Sequence, residues 1–444
     1  MALTQVPEGT LDLSAHGAVA AEPARPGALL GKIAFGATAL FLVQLYVAPS
    51  DWFPALQPAR LALVLSALSL GCLALQRLLS NRPLWFGWRT AALFVYVATA
   101  ALSPMWSFDR PTSVTAAAEV CKHLLFFIAL TNTATTPGRI RTALLLFACA
   151  AIVPGLGTYL HYANGELLVE GFRGRWYGVM ADPNHDAMAL VAAVPLLLAF
   201  VVSGKKVWHR IFALAAVTGC LLGVVATHSR GGTVGLGVGV MAWALLSKRK
   251  AFAISAAVVA AAGLLLFAPS SFWSRNNTIA AYAEDESVHG RVQAWHVAGR
   301  AISEHPILGI GEQAFLAGWD HYAPLDAGPN RYVAHNLFLE VLAELGLVGL
   351  SGLLSFLGIA LWSTWRSRNG VMGVEARALL AAMLGYLVCQ QFSGYSLSWF
   401  LYALCGFAAC VDKWAPRTEP LSSLRAAPLP PRGLPVLGML RPSA

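Results

Sequence analysis

The sequence predicts an all-α polytopic membrane protein, and two observations carry that prediction. Hydrophobic residues make up 57% of the 444 residues and charged ones 12%, with a mean hydropathy of +0.61, beyond the usual range of soluble globular proteins. Apolar runs of about 20 residues, the length a helix needs to cross a bilayer, recur between short polar breaks, whereas a β-barrel would alternate over about 10 residues per strand. Twelve spans are expected, near 28–48, 60–79, 90–106, 113–131, 142–160, 185–203, 210–228, 231–247, 251–268, 336–363, 378–394 and 396–412.

Charge gives the orientation. With the N-terminus inside, nine basic residues fall in outside segments (Arg60, Arg110, Arg173, Arg175, Arg230, Arg275, Arg291, Arg300, Arg331) and Lys122 lies within a span, which leaves 21 of the 31 inside. That bias is the positive-inside pattern, and it accounts for the net charge of +9 without nucleic acid as a partner. Residues 1–27 lack a signal-peptide pattern and read as a disordered cytoplasmic leader; 413–444, rich in Pro, Arg and Leu, read as a disordered cytoplasmic tail. The membrane domain is thus 28–412. All seven cysteines lie within or at the ends of spans, so none staples an outside loop.

Two outside loops are long, 161–184 and 268–334. In the second, Val292, Trp295, Ala298/Gly299 and Ile302 recur at helical spacing, with Arg291, Gln293, His296 and Arg300 on other faces, which predicts a helix lying at the membrane surface. His305-Pro306 ends it, and Gly309-Ile310-Gly311 offers a tight backbone that a ligand could approach closely.

The stretch His335 to Gly349 opens a span, yet its first turns carry His335, Asn336, Glu340 and Glu344. The last three follow at i, i+4, i+8 and line one stripe, which must face protein or a watery cavity. His335 stands at the mouth of that stripe, where an imidazole can serve as a general base. Glu340 and Glu344 either orient His335, bind cations or hydrogen-bond to neighbouring helices; the sequence leaves these open.

Several arginines outside run against the positive-inside tendency. Arg230 in Ser229-Arg230-Gly231-Gly232 and Arg291 at the start of the surface helix are either snorkelling side chains or ligands for an anion, and Gly231-Gly232 would leave room for a bulky one. Arg173 and Arg175, with Trp176 and Tyr177, combine groups that clamp phosphate with rings that stack on sugars; an ordinary interfacial aromatic loop is the alternative. Asp182 or Asn184 can cap the span that follows. Glu119, Lys122 and His123, at i, i+3, i+4 in the fourth span, are expected to neutralise one another, and His305 and His321 to be loop histidines. No Cys/His cluster has zinc spacing, and Glu284-Asp285-Glu286 reads as a solvated turn.

Taken in order, Asp182-Pro183-Asn184, Ser229-Arg230-Gly231-Gly232, Gly290-Arg291 with Trp295, His305-Pro306-Ile307-Leu308-Gly309-Ile310-Gly311, and His335-Asn336 through Glu340 and Glu344 to Gly346 and Gly349 resemble the O-antigen ligase/polymerase superfamily, most closely its ligase branch. The resemblance covers roughly the second half of the chain. It implies a bundle of about a dozen helices related to the C-type glycosyltransferases, in the bacterial inner membrane, with its site facing the periplasm. It implies transfer of O-polysaccharide from undecaprenyl diphosphate to a sugar hydroxyl of lipid A–core, with no metal or nucleotide cofactor. By position, His335 would be the essential histidine and Arg230 and Arg291 the diphosphate ligands, with Arg173 and Arg175 alongside. Asn336, Glu340, Glu344, Trp295, Tyr177 and Asn184 are expected to support the site or bind substrate. O-antigen polymerases and protein O-oligosaccharyltransferases use similar donors and remain alternatives. A secondary transporter also fits twelve spans with both termini inside, but the polar groups gather at the outer face rather than at the midplane, and no half-chain repeat is seen.

Overall fold

Helix starts are written in short polar turns. Asp109 accepts from the Thr112 amide, Thr136 from Arg139, Asp182 from Asn184 and His185, Ser229 from Gly232, and Asn336 from Phe338 and Leu339. Each satisfies amides that a first turn leaves without intrahelical partners, where lipid supplies no water to do so.

The computed structural model describes residues 27–167, 171–204, 206–251, 253–255, 258, 272–273, 286–324 and 329–415. Its longer helices are α1 (Ala28–Val47), α2 (Leu61–Ser80), α3 (Trp88–Leu102), α4 (Arg110–Thr133), α5 (Pro137–Ala150), α6 (Ile152–Ala163), α7 (Pro183–Ser203), α8 (Val207–Ala226), α9 (Arg230–Leu246), α10 (Glu286–Glu304), α11 (Leu337–Arg366), α12 (Gly373–Ser393) and α13 (Trp399–Asp412). Among the described residues, eight spans are long and apolar enough to cross a membrane, α5 and α6 forming one of them across a joint at Ala151; α9 and α13 are apolar but shorter. The chain is an all-helical, multi-pass membrane protein. Helices stand at eleven of the twelve expected spans. The other, 251–268, lies almost wholly outside the described residues, as do the expected leader and tail, part of loop 268–334, and Glu284 and Asp285.

Helix α7 is the axis, buried along most of its length among α5, α8, α9 and α12. Without water to expel, association in lipid depends on close packing, and small residues permit it. A Cβ on Gly235 of α9 would stand 2.3 Å from Cys389 Sγ and 2.7 Å from the Gly385 carbonyl oxygen of α12, so the two backbones meet there directly. Tyr46 ties α1 to the axis by donating to the Ala189 carbonyl at 2.8 Å, and its ring packs on Phe147 and Phe400.

Helix α11 is not continuous. Gly346 takes φ 63° and ψ −164°, and the loop after α10 plugs the break: Leu347 and Val348 donate to the Pro306 and Ile307 carbonyls, while Ile310 and Gly311 donate to those of Ala343 and Glu344, all at 2.8–3.2 Å. The fit needs glycine on both sides, since a Cβ on Gly309 or Gly346 would fall 2.3 Å from the opposing backbone. The Gly309-Ile310-Gly311 turn therefore meets a helix backbone, and the expected close approach is to protein.

Helix α10 forms where predicted. Ala294, Val297, Ala298 and Ala301 are fully buried against Phe315, Trp319 and Tyr322, whereas Val292 and Trp295 are each more than 40% exposed. Small alanines let the helix sit tightly on aromatic rings.

Candidate functional site

His335 occupies the turn that enters α11, in the left-handed region at φ 49°. Two neighbours fix that turn. Trp295 Nε1 donates to the Ala334 carbonyl at 3.0 Å, and Gly394, at φ 53°, lies so close that a Cβ there would come within 2.5 Å of the Asn336 nitrogen. Asn336 caps α11 through Oδ1 and reaches α12 through Nδ2, which donates to Gln391 Oε1 at 3.2 Å. The imidazole is half-buried, and its Nδ1 is shielded without a hydrogen-bond partner among the described residues. Burial, and next the charge of Arg291, hold His335 below the ordinary value of 6.5, with the Ser393 backbone and Asp182 pulling the other way. An imidazole held neutral is a proton acceptor at neutral pH.

The N-termini of α7, α9 and α11 gather around this turn. Asn184 Oδ1 accepts from Arg173 Nη2 at 2.8 Å and from Ser229 Oγ at 2.9 Å, so one amide oxygen joins the starts of α7 and α9. Burial raises the Asp182 carboxyl, but His185, the capped amides and Arg173 outweigh it and hold it below its ordinary range. Beside it, the His185 ring stacks on Tyr395 at 4.4 Å. Each helix start presents partial positive charge, and Arg230, the first residue of α9, and Arg291 add full charges. Such a place suits an anion.

Beneath His335 lie three buried carboxyls, one of which the sequence did not reveal. Glu344 accepts from the Gln313 and Phe315 amides at 2.8 and 3.3 Å; Glu340 accepts from the Ser396 amide at 3.3 Å and from Gln313 Nε2 at 3.4 Å. Of the readings left open for these two, hydrogen bonding to neighbouring segments is what the structure shows. The third is Glu312, fully buried, whose Oε1 accepts from Ser396 Oγ at 3.2 Å. Burial, then the nearby Glu340, push its carboxyl up to about 8. It was hidden because a glycine-rich turn has no periodicity to mark an inward side chain.

The other candidates have these surroundings. Arg173 is buried, its Nε donating to the Thr227 carbonyl, and Arg175 donates to the Ala181 carbonyl at 3.0 Å, so both guanidinia brace the chain entering α7. Tyr177 lies in an aromatic cluster with His161 and Trp176. Gly231 and Gly232 make no room for a ligand, since a Cβ on them would strike Phe392 at 2.8 Å and Ala187 at 2.6 Å. Glu119 and Lys122 pair at 2.5 Å as expected, but His123 points away and stacks on Tyr402 at 4.3 Å. His305 and His321 border Phe108 in the loop layer.

Fold and site together define a multi-pass helical membrane protein in which the N-termini of α7, α9 and α11 come together near His335. Residues 214–354 match a family model described as O-antigen ligase. A Pseudomonas aeruginosa protein described as an O-antigen ligase is 30% identical over 256 residues, which take in 55% of this chain and 57% of that one, so the chain spans somewhat more than half of the relative's length. Through this segment the chain is similar to the O-antigen ligase family. The matched segment contains Arg230, Arg291, Trp295, Glu312, His335, Asn336, Glu340 and Glu344; Arg173, Arg175, Tyr177 and Asn184 precede it.

Proposed function

We propose that this protein transfers O-antigen polysaccharide from undecaprenyl diphosphate to a sugar hydroxyl of lipid A–core, at the periplasmic face of the bacterial inner membrane. The observation that carries the reading is His335, held neutral beside Arg291 where three capped helix N-termini meet. His335 accepts the proton of the acceptor hydroxyl as its oxygen bonds to the anomeric carbon. The bond from that carbon to the diphosphate breaks, and the leaving group keeps the electron pair. Arg230, Arg291 and the helix starts stabilise the negative charge that develops there. Attack opposite the diphosphate inverts the anomeric centre. The donor is already activated, so no further energy source is needed. Arg173 and Arg175 contribute by holding the Asn184 turn in place.

The test is transfer by purified protein with undecaprenyl-diphosphate-linked glycan and lipid A–core in the presence of EDTA, comparing wild type with His335→Ala. Glycan on lipid A–core from wild type alone supports the reading. Growth of the glycan on its own lipid carrier would make the protein a polymerase, and no transfer at all would reopen the transporter reading.

A further inference from the structure

A groove of about 550 Å³ runs between α1, α2 and α4, away from the arginines. Its walls are apolar, with Phe41, Leu45, Leu63, Leu125 and Phe126 among them. Helix α2 opens it: only Ser69 and Leu73 of that helix are buried, and it leans on α1 while touching α4 more lightly. The volume lies within the roughly 300–1,000 Å³ of sites that enclose a small ligand. On the wall, the Glu119–Lys122 pair leaves side chains 36% and 55% exposed within a membrane-spanning helix, where charges are costly unless something polar or hydrated meets them.

One end of the groove lies near the His335 site. Trp399 on its wall is four residues from Tyr395, which stacks on His185 and feels the charges of both Glu119 and Glu340. Val179, also on the wall, is three residues from Asp182. Arg230 stands on another flank, since α9 packs mainly on α12 and α7. A lipid whose diphosphate lies at Arg230 and Arg291 therefore leaves this groove free, and a second lipid needs its own way to His335.

We propose that the groove between α1, α2 and α4 seats one acyl chain of the lipid-borne acceptor, so that the two lipid substrates reach His335 from different flanks of the bundle. This rests on the two-lipid transfer reading above. The groove takes a hydrocarbon chain, and its inner end delivers the attached sugars past Tyr395 to the imidazole.

The experiment uses the full chain in nanodiscs with lipid A–core carrying a diazirine in an acyl chain, and mass spectrometry of the labelled peptides. Labelling within 62–70 and 119–129, competed by unlabelled lipid A–core and lost in both Ala67→Trp and Leu63→Trp but not in Leu78→Trp, is expected. The groove variants should raise KM for lipid A–core about tenfold while kcat and the donor KM hold. Equal labelling by a diazirine phosphatidylethanolamine, labelling by a diazirine undecaprenyl diphosphate, or no groove labelling overturns the proposal. Groove labelling without transfer by wild type sustains the groove and sinks the transfer reading; transfer without labelling does the reverse.

Discussion

The indole of Trp295 and the carbonyl of Ala334 are joined by a 3.0 Å hydrogen bond, which fastens α10 to the residue before His335. Because His335 sits at positive φ, its ring direction depends on how that turn is held. Trp295→Phe keeps a ring but removes the donor. Transfer should fall about tenfold to a hundredfold, as expected for small misplacement of a reacting group, with the melting temperature little changed. Wild-type rates in a folded Trp295→Phe would remove the brace from the account.

The pH profile should report His335. A base acts when unprotonated, so the acid limb of kcat/KM should lie below 6.5, because burial and Arg291 lower its pKa. Arg291→Gln removes one of those causes and should move the limb upward. A limb that stays put in Arg291→Gln while diphosphate affinity drops would assign Arg291 to the donor alone.

Glu312 makes stability depend on pH. Its folded carboxyl titrates near 8, above the unfolded value, so the folded state binds the extra proton between the two. Stability should be greatest at the acid end of that window and decline as pH rises through about 8. Glu312→Gln should flatten the decline, read as melting temperature from pH 5 to 9. Parallel curves for the two proteins would show that Glu312 does not titrate there.

The break in α11 should tolerate no side chain. Gly346→Ala adds a Cβ at positive φ and 2.3 Å from the Ile307 backbone, which should cost about 2 kcal/mol or more. Gly358, in the same helix with open space around it, is the control, and Gly358→Ala should stabilise by about 0.5–1 kcal/mol. Detergent thermal shifts of the pair give the comparison.

Hydropathy made the spans legible, since a run of 20 apolar residues has few other uses. One capping residue was legible too: Asp182 acts locally, on amides two and three positions away. The face of α10 was not, because Val292 and Trp295 dominate any count of apolar surface while the packed face is chosen by alanines that fit aromatic partners elsewhere in the chain. Asn184 could be read as a cap, but its role in holding Arg173 and Ser229 depends on residues 11 and 45 positions away. Glu312 and the socket at Gly346 depend likewise on contacts that no spacing encodes.

Gly346 divides α11 into a shaft seated in the bundle and a short head, Leu337 to Leu345, that is bonded to the loop before it. His335 leads the head, and Trp295 grips it from the same loop layer. His335 is therefore geared to the loop layer rather than to the shaft of α11. Torque applied to that layer would turn the imidazole while the shaft stays still.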